Sequence, residues 1–554
     1  MTRRTLLSLM AAAAAAPAQD RPTSMAEFVR QNDAAVENYL ERQNTDPDSR
    51  WRGALAGPTG LHEAGTAAGV LARGVGSYVH PESKYHKDSL LRDRLELAIE
   101  HMERVQTPDG NFDLLITNFN SPPDTAFITR NLASAAFVAK QEGAADVYER
   151  MTPLLRRCGD GLVKGGIHTP NHRWVACAAL SQLYDLFPDN VYKARVDEWL
   201  LETIDIDADG QYSEQSTTVY NAVVDDCLTT VAKKLGRKDL LEPVRRNLEA
   251  MMYLLHPNYE VVTEISHRQD RGAIGDMGRY WFALRSLARE DGNGQLETLV
   301  RYFEPRYASL NLLLEFPELQ AEGPRPVPVP DDYAKAFPQS RLVHLRRGAS
   351  SAMVILEDNS RFFAVRRGEA IVEGVRFASA FFGKGQFRPQ RGEWRDGAFF
   401  MEQELEAGYY QPFGDGRTQP WGVEQWYAKR PHRDETEICH LRYRAEIYEK
   451  PDGFDVRVAA EGTDWVPLAV EINLRPGGDL RGVVDAPDAP QGEDAYILEE
   501  GFAVYSVGDD QIRFGPGKAE TRYTQVRGAD AKLSGPSVYV TGYTPFDHTI
   551  EFRW

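Results

Sequence analysis

Pro324-Arg325-Pro326-Val327-Pro328-Val329-Pro330 divides this sequence into two halves of different periodicity. Every second residue there lacks an amide hydrogen and has its φ fixed, so the run can neither continue a helix nor sit inside a sheet. It is read as the centre of a linker over 321–340. Upstream, from about Met25 to Leu314, apolar residues recur at three- and four-residue spacing between Gly, Pro and Asp-Gly breaks, the pattern of amphipathic helices. The spacing predicts helices near 25–43, 61–79, 88–106, 122–142, 144–158, 171–187, 191–203, 214–235, 238–254, 275–290, 294–303 and 307–315. These twelve make six hairpins, which bury one face of each by closing on themselves as an (α/α) toroid over 25–320, with loops gathered around a cleft. Downstream, Ala352-Met353-Val354-Ile355-Leu356, Phe454-Asp455-Val456-Arg457-Val458 and Ser537-Val538-Tyr539-Val540-Thr541 are strand-like runs between Gly, Asp and Asn turns. The expected fold class is therefore α then β, an (α/α) toroid followed by a C-terminal antiparallel β-sandwich over 341–554.

A short echo supports a repeated unit in the helical half: Asp109-Gly110-Asn111-Phe112 and Asp209-Gly210-Gln211-Tyr212 each follow a helix and lead into polar sequence. With 42% hydrophobic and 26% charged residues the 554-residue chain has the composition of a folded protein. Its formal charge of −18, from 82 acidic against 64 basic side chains, argues against a nucleic-acid partner held by counterion release. An acidic polysaccharide would be repelled at long range as well, so binding one requires basic residues concentrated in one cleft. At the start, Arg3-Arg4, the apolar run Leu6 to Ala16 and Ala16-Pro17-Ala18 read as an export signal over 1–18. The arginine pair resembles a twin-arginine signal without meeting the full consensus. A periplasmic or extracellular location is the expectation, with no membrane span, since the apolar run is too short to cross a bilayer. Cys158, Cys177, Cys227 and Cys439 lack metal-type spacing and are read as free thiols.

Three polar clusters interrupt the helical pattern. In Gly165-Gly166-Ile167-His168-Thr169-Pro170-Asn171-His172-Arg173-Trp174, Pro170 opens a helix and places Asn171, His172 and Arg173 near amides and a dipole that favour an anion. The bland alternative is that Asn171 caps the helix and His172 is a core histidine. In Asp209 to Asn221, three-residue spacing puts Glu214, Thr217 and Tyr220 on one face of the expected helix, and the alternative is a helix capped by Ser213 with a partly buried tyrosine. Thr263-Glu264-Ile265-Ser266-His267-Arg268-Gln269-Asp270-Arg271 is dense in hydrogen-bonding groups and reads equally as a site or a solvated loop. Asn118-Phe119-Asn120-Ser121-Pro122-Pro123-Asp124 is a fourth candidate, either a cleft loop containing Asn120 or a plain helix-start turn.

In layout the chain resembles the heparinase II/III-like polysaccharide lyases, which pair an (α/α) toroid with an antiparallel sheet domain. In residues the resemblance rests on Asn171-His172 and on Asp209-Gly210-Gln211-Tyr212-Ser213-Glu214 followed by Ser216 and Tyr220. It implies that Asn171 or His172 neutralises a uronate carboxylate and that Tyr220 acts as Brønsted base, acid or both. Some relatives carry a structural zinc; His344, His432 and His440 are scattered here, so neither metal nor cofactor is expected.

The chemistry explains the residue types. β-Elimination removes the C5 proton of a uronate, which is weakly acidic until fixed donors hold the charge that develops on its carboxylate. Asn171, His172, His267 and Arg268 can supply such donors, with Arg173, Glu214 and Asn120 lining the substrate, and Tyr220 can move the protons. Glu214 fits an orienting role better than that of base, because its charge would add to that of the substrate. Two rival readings stand beside this one. A glycoside hydrolase of α/α-barrel type would use carboxylates such as Glu63, Asp124, Glu214 and Asp270. A noncatalytic glycan-binding protein would use aromatics such as Trp421 and Trp426.

Overall fold

The computed structural model describes residues 24–306, 309–413, 425–487 and 494–554. The expected export signal and Trp421 lie outside the described residues. Two compact units divide the chain: Met1–Leu255 with Tyr259–Pro330, and His256–Asn258 with Asp331–Trp554.

The helical unit contains twelve α-helices among the described residues, matching the twelve expected segments. They are α1 Met25–Arg42, α2 Ala64–Val79, α3 Ser89–Val105, α4 Pro122–Gln141, α5 Ala145–Lys164 and α6 Asn171–Leu186. The rest are α7 Asn190–Leu200, α8 Tyr220–Leu235, α9 Leu241–Met252, α10 Trp281–Glu290, α11 Gly294–Tyr302 and α12 Leu310–Glu315. Burial separates an inner ring from an outer one. Helix α6 buries residues around its whole circumference, whereas α7 buries only Tyr192 and Val196. Helices α2, α4, α6 and α8 pack side by side in succession. The ring closes where Phe28 of α1 meets Trp281 of α10 edge-on at 5.5 Å and where Asn311 Nδ2 of α12 donates to the Ala72 carbonyl of α2 at 2.7 Å.

The Asp-Gly echo is real in three dimensions. In both turns a backbone amide bonds four residues ahead, Thr107 N to Asn111 O and Asp207 N to Gln211 O, each at 2.9 Å. Gly110 and Gly210 take φ of +88° and +80°. A Cβ at either would sit 1.9 Å from Arg157 O or 2.6 Å from Arg246 O, so glycine is required for the turn to seat on α5 or α9. Among the described residues the unit's only sheet is the antiparallel pair Phe112–Leu114 and Asn118–Ser121.

The second unit holds a ten-stranded and an eight-stranded sheet, antiparallel except where Ala495–Ile497 runs parallel to Ser537–Tyr543. Phe363 of one sheet meets Phe454 and Phe552 of the other at 5.4 and 5.7 Å, and a shared core lies between them. Strand Asp332–Phe337 falls inside the stretch expected to be linker. The last proline of the run is Pro330, so each following amide is free to pair, and Asp332 to Phe337 register against Arg347 to Leu342. The prolines themselves lie along α11, with Val327 N bonded to Gly294 O and Thr298 Oγ1 to Val327 O.

Candidate active site

Three loops of the helical unit converge at the starts of α6 and α8. At α6, Pro170 takes the cap position and no side chain caps the helix. Asn171 is therefore free of capping, and its Nδ2 donates to Glu214 Oε2 at 2.8 Å and to Thr169 Oγ1 at 3.1 Å. Its Oδ1 is buried with no hydrogen-bond partner among the described residues. His172 is half-buried, with its ring edge-on to Phe127 of α4 at 6.2 Å and to His168 at 4.7 Å. Burial, reinforced by His168 and Arg268 and opposed by Asp124, brings its pKa down to about 4, so the imidazole is neutral at neutral pH.

The second loop corrects an expectation. Helix α8 begins at Tyr220, not at 214, so Glu214, Thr217 and Tyr220 do not share a helical face. Gln215 adopts φ +47°, and the side chains of Ser216 and Thr218 bond to Asp270 instead of leaving the backbone to a helix. Thr217 Oγ1 is turned to the Val262 carbonyl at 2.7 Å. Ser213 bonds Asp205 and caps nothing. The loop is fastened to α8 by Tyr212 Oη donating to Asp225 Oδ1 at 2.7 Å and Asn221 Nδ2 donating to Gln211 Oε1 at 2.8 Å. Glu214 still reaches the site from this loop. It is buried, which raises its pKa, while the bond from Asn171 and the charge of Arg268 work against that rise.

The third loop completes the cluster. Asp270 accepts from Ser216 Oγ (3.0 Å), Thr218 N (3.2 Å), Thr218 Oγ1 (2.9 Å) and Ser266 Oγ, and so clamps the second and third loops together. The His267 amide donates to Glu214 O at 3.0 Å, while its side chain is exposed. Arg268 lies 3.4 Å from Glu214 Oε1, and its guanidinium carbon is 4.8 Å from the centre of the Tyr220 ring. Gln269 Nε2 donates to Tyr220 Oη at 3.0 Å. Asn171, Glu214, Arg268, Tyr220 and Gln269 thus form one continuous chain of contacts, with His172 beside it.

Two residues expected to line the substrate are committed elsewhere. Arg173 is buried and pairs with Asp205 at 2.8 Å and Glu202 at 3.1 Å, because it points back toward the turn after α7 while Asn171 points forward. Asn120 sits at φ +47° and spends its amide within the hairpin, accepting from Thr107 Oγ1 and Asn111 Nδ2 and donating to Asp109 Oδ2. Its neighbourhood is a helix-start turn: Ser121 caps α4, and Asn118 Nδ2 bonds Asp124 Oδ2 at 2.9 Å. Two further residues belong to the site without a sequence signal of their own: Gln269, within the polar run 263–271, and Phe127, one turn beyond Asp124.

No protein-family model matches the chain and no curated protein matches it in sequence. Solved structures do match it in fold. The Streptomyces coelicolor A3 chondroitin AC lyase in complex with chondroitin sulphate aligns at TM-score 0.55 and 14% identity over 100% of this chain and 82% of that one. A Paenibacillus xanthan lyase gives 0.57 and 10% over 96% and 57%, and a heparinase III gives 0.53 and 10% over 99% and 88%. A helical unit followed by an antiparallel-rich sheet unit, aligned with these structures over almost its whole length, gives this chain a heparinase-like polysaccharide lyase fold.

Proposed function

We propose that this protein is a polysaccharide lyase that β-eliminates a uronic-acid-containing glycan and leaves an unsaturated uronate at the new end. The observation that carries the reading is the placement of Tyr220: its hydroxyl accepts from Gln269 and its ring lies under the Arg268 guanidinium. The groups suited to neutralise a carboxylate, His172 and Asn171, belong to the same cluster through Glu214 and Arg268.

In this reading the uronate carboxylate displaces Thr169 from Asn171 Nδ2 and takes further donors from His172 and Arg268. Charge passing from C5 into the carboxylate is then held by preorganised dipoles in a partly dry site. Tyr220 removes the C5 proton as a phenolate. The C5–H electron pair forms the C4=C5 double bond, the C4–O4 bond breaks, and the departing O4 takes a proton, which the phenol now carries. Arg268 supplies positive charge beside the ring during both transfers. Glu214 orients Asn171 and Arg268, and Asp270 keeps the two loops in register. The location in this reading is outside the cytoplasm, by way of the export signal; among the described residues no helix is long and apolar enough to cross a membrane.

The test is incubation with a panel of acidic glycans, read by ultraviolet absorbance and by reducing ends. Elimination yields an absorbing unsaturated uronate. New reducing ends without absorbance would convert the protein into a hydrolase, and neither signal would leave a binding protein.

A further inference from the structure

Next to the cluster, within the helical unit, lies a partly open cavity of about 350 Å³ lined from helices α4, α6, α8, α10 and α12. That volume is at the low end for small-molecule sites, roughly 300–1,000 Å³, and is too small for a polymer to thread through. Its upper wall touches the cluster: Phe127 lines it and also faces His172, and Ala222 and Val223 follow Tyr220 on α8. Its lower wall includes Thr230, Gln182 and Glu315. From Ala222 to Thr230 is eight residues of helix, about 12 Å, a depth that suits about two sugar rings end to end. The bottom is closed firmly. Glu315 is buried, pairs with Lys234 at 2.9 Å and accepts from Gln182, and Lys234 also lies over Phe316, which packs on Phe282 at 5.3 Å.

The lining suits a sugar. Phe127, Phe282 and Phe316 offer apolar ring faces, while Asn131, Ser134 and Asp226 offer hydrogen-bonding groups. Asn131 is exposed even though it sits on an inner helix, which shows that the hollow is accessible. Asp226 lies midway down α8 with Oδ1 buried and lacking a hydrogen-bond partner among the described residues.

We propose that this cavity is an end-binding pocket that takes the terminal one or two sugars of the glycan, so that the protein attacks from a chain end and releases short products. The proposal rests on the lyase reading and adds to it the mode of attack. A chain inserted from the cluster would stop against Glu315 and Phe316 with its scissile bond at Tyr220.

The experiment digests a long uronate glycan with the full-length protein and follows product size from the first minutes, beside two variants that fill the hollow away from Tyr220 and His172. Ser134→Phe narrows the middle, and Asn131→Trp does the same from an exposed position that tolerates a larger side chain. The expected result is mono- or disaccharide product from the outset with slow shortening of the polymer. In both variants KM should rise at least tenfold, with kcat changed much less. An early ladder of intermediate sizes, with Asn131→Trp folded and kinetically normal, overturns the pocket while leaving the lyase reading intact. Absence of absorbing product from every uronate glycan overturns both.

Discussion

Removing one oxygen from Tyr220 separates chemistry from architecture. In the folded protein the described partner of that oxygen is Gln269 Nε2 at 3.0 Å, on an exposed side chain. A neutral hydrogen bond at such a site contributes about 1 kcal/mol at most, because water replaces it readily. The ring keeps its contact with Arg268 at 4.8 Å, so Tyr220→Phe should lower stability by no more than about 1 kcal/mol. Turnover should fall far more. Loss of a positioned proton-transfer group costs roughly 10²–10⁴ in rate, or about 3–5 kcal/mol in the barrier. KM should change little, since the donors to the carboxylate are untouched. The assay is initial-rate ultraviolet detection of the unsaturated product, with a denaturant melt to show that the variant is folded. A folded Tyr220→Phe protein with turnover within about tenfold of the parent refutes the role. If His172→Ala then loses that turnover, His172 is the base.

Three further outcomes follow from the same contacts. Asp270→Ala strands four donors in a buried setting, and at about 1 kcal/mol or more for each it should destabilise by about 4 kcal/mol or more; a denaturant midpoint shift worth under about 1 kcal/mol would show that the clamp is ornamental. Arg173→Ala should reduce stability and leave KM unchanged, whereas Arg268→Ala should raise KM; equal KM effects with unchanged stability would put Arg173 back among the substrate contacts. His172 has its pKa lowered to about 4 from an ordinary 6.5, so between those values the unfolded chain binds the proton and the folded one does not. Stability contributed by this residue therefore rises with pH through that window and is lost as pH falls through it. An imidazole NMR titration should place the midpoint near 4, and a midpoint near 6.5 would contradict the buried placement.

The helices were legible because burial on one face imposes a three- and four-residue period that local sequence records directly, as in α2, α4 and α5. Boundaries failed where side chains outcompeted the backbone. Helix α8 starts six residues late because Ser216 and Thr218 bond Asp270, a partner about fifty residues away that no local pattern reveals. The strand at Asp332 is hidden in the sequence for the opposite reason: the proline run marks a linker, yet the prolines stop two residues before the strand begins. At the site, the residue types at Asn171, His172, Glu214, Arg268 and Tyr220 were legible, but their directions were not. Neighbours on one helix turn point apart, so Asn171 meets Glu214 while Arg173 meets Asp205. Charge counting suffered similarly, since an arginine in the sequence says nothing of the carboxylates that already neutralise it.

The four carboxylates that a hydrolase would draw upon all serve as acceptors in the loops or at a helix start. Glu63 Oε2 accepts from Leu115 N at 2.9 Å, and Asp124 Oδ2 accepts from Asn118 Nδ2 and Ser121 Oγ. Asp270 holds its four donors, and Glu214 faces an amide and a guanidinium. Glycoside hydrolysis needs one carboxyl to deliver a proton to the leaving oxygen and a second, about 5–9.5 Å away, to meet water or the sugar itself. Burial favours the protonated form of Glu214, which would suit the first task. Among these four, the second task would fall to Asp270 or Asp124, which would have to release the hydroxyls and amides that shape the loop or the start of α4, at about 1–3 kcal/mol for each donor left unsatisfied. Elimination asks for no such release. It needs donors aimed at a carboxylate and one group able to carry a proton both ways, and Tyr220 can do that with Asp270 and Asp124 still performing their structural work.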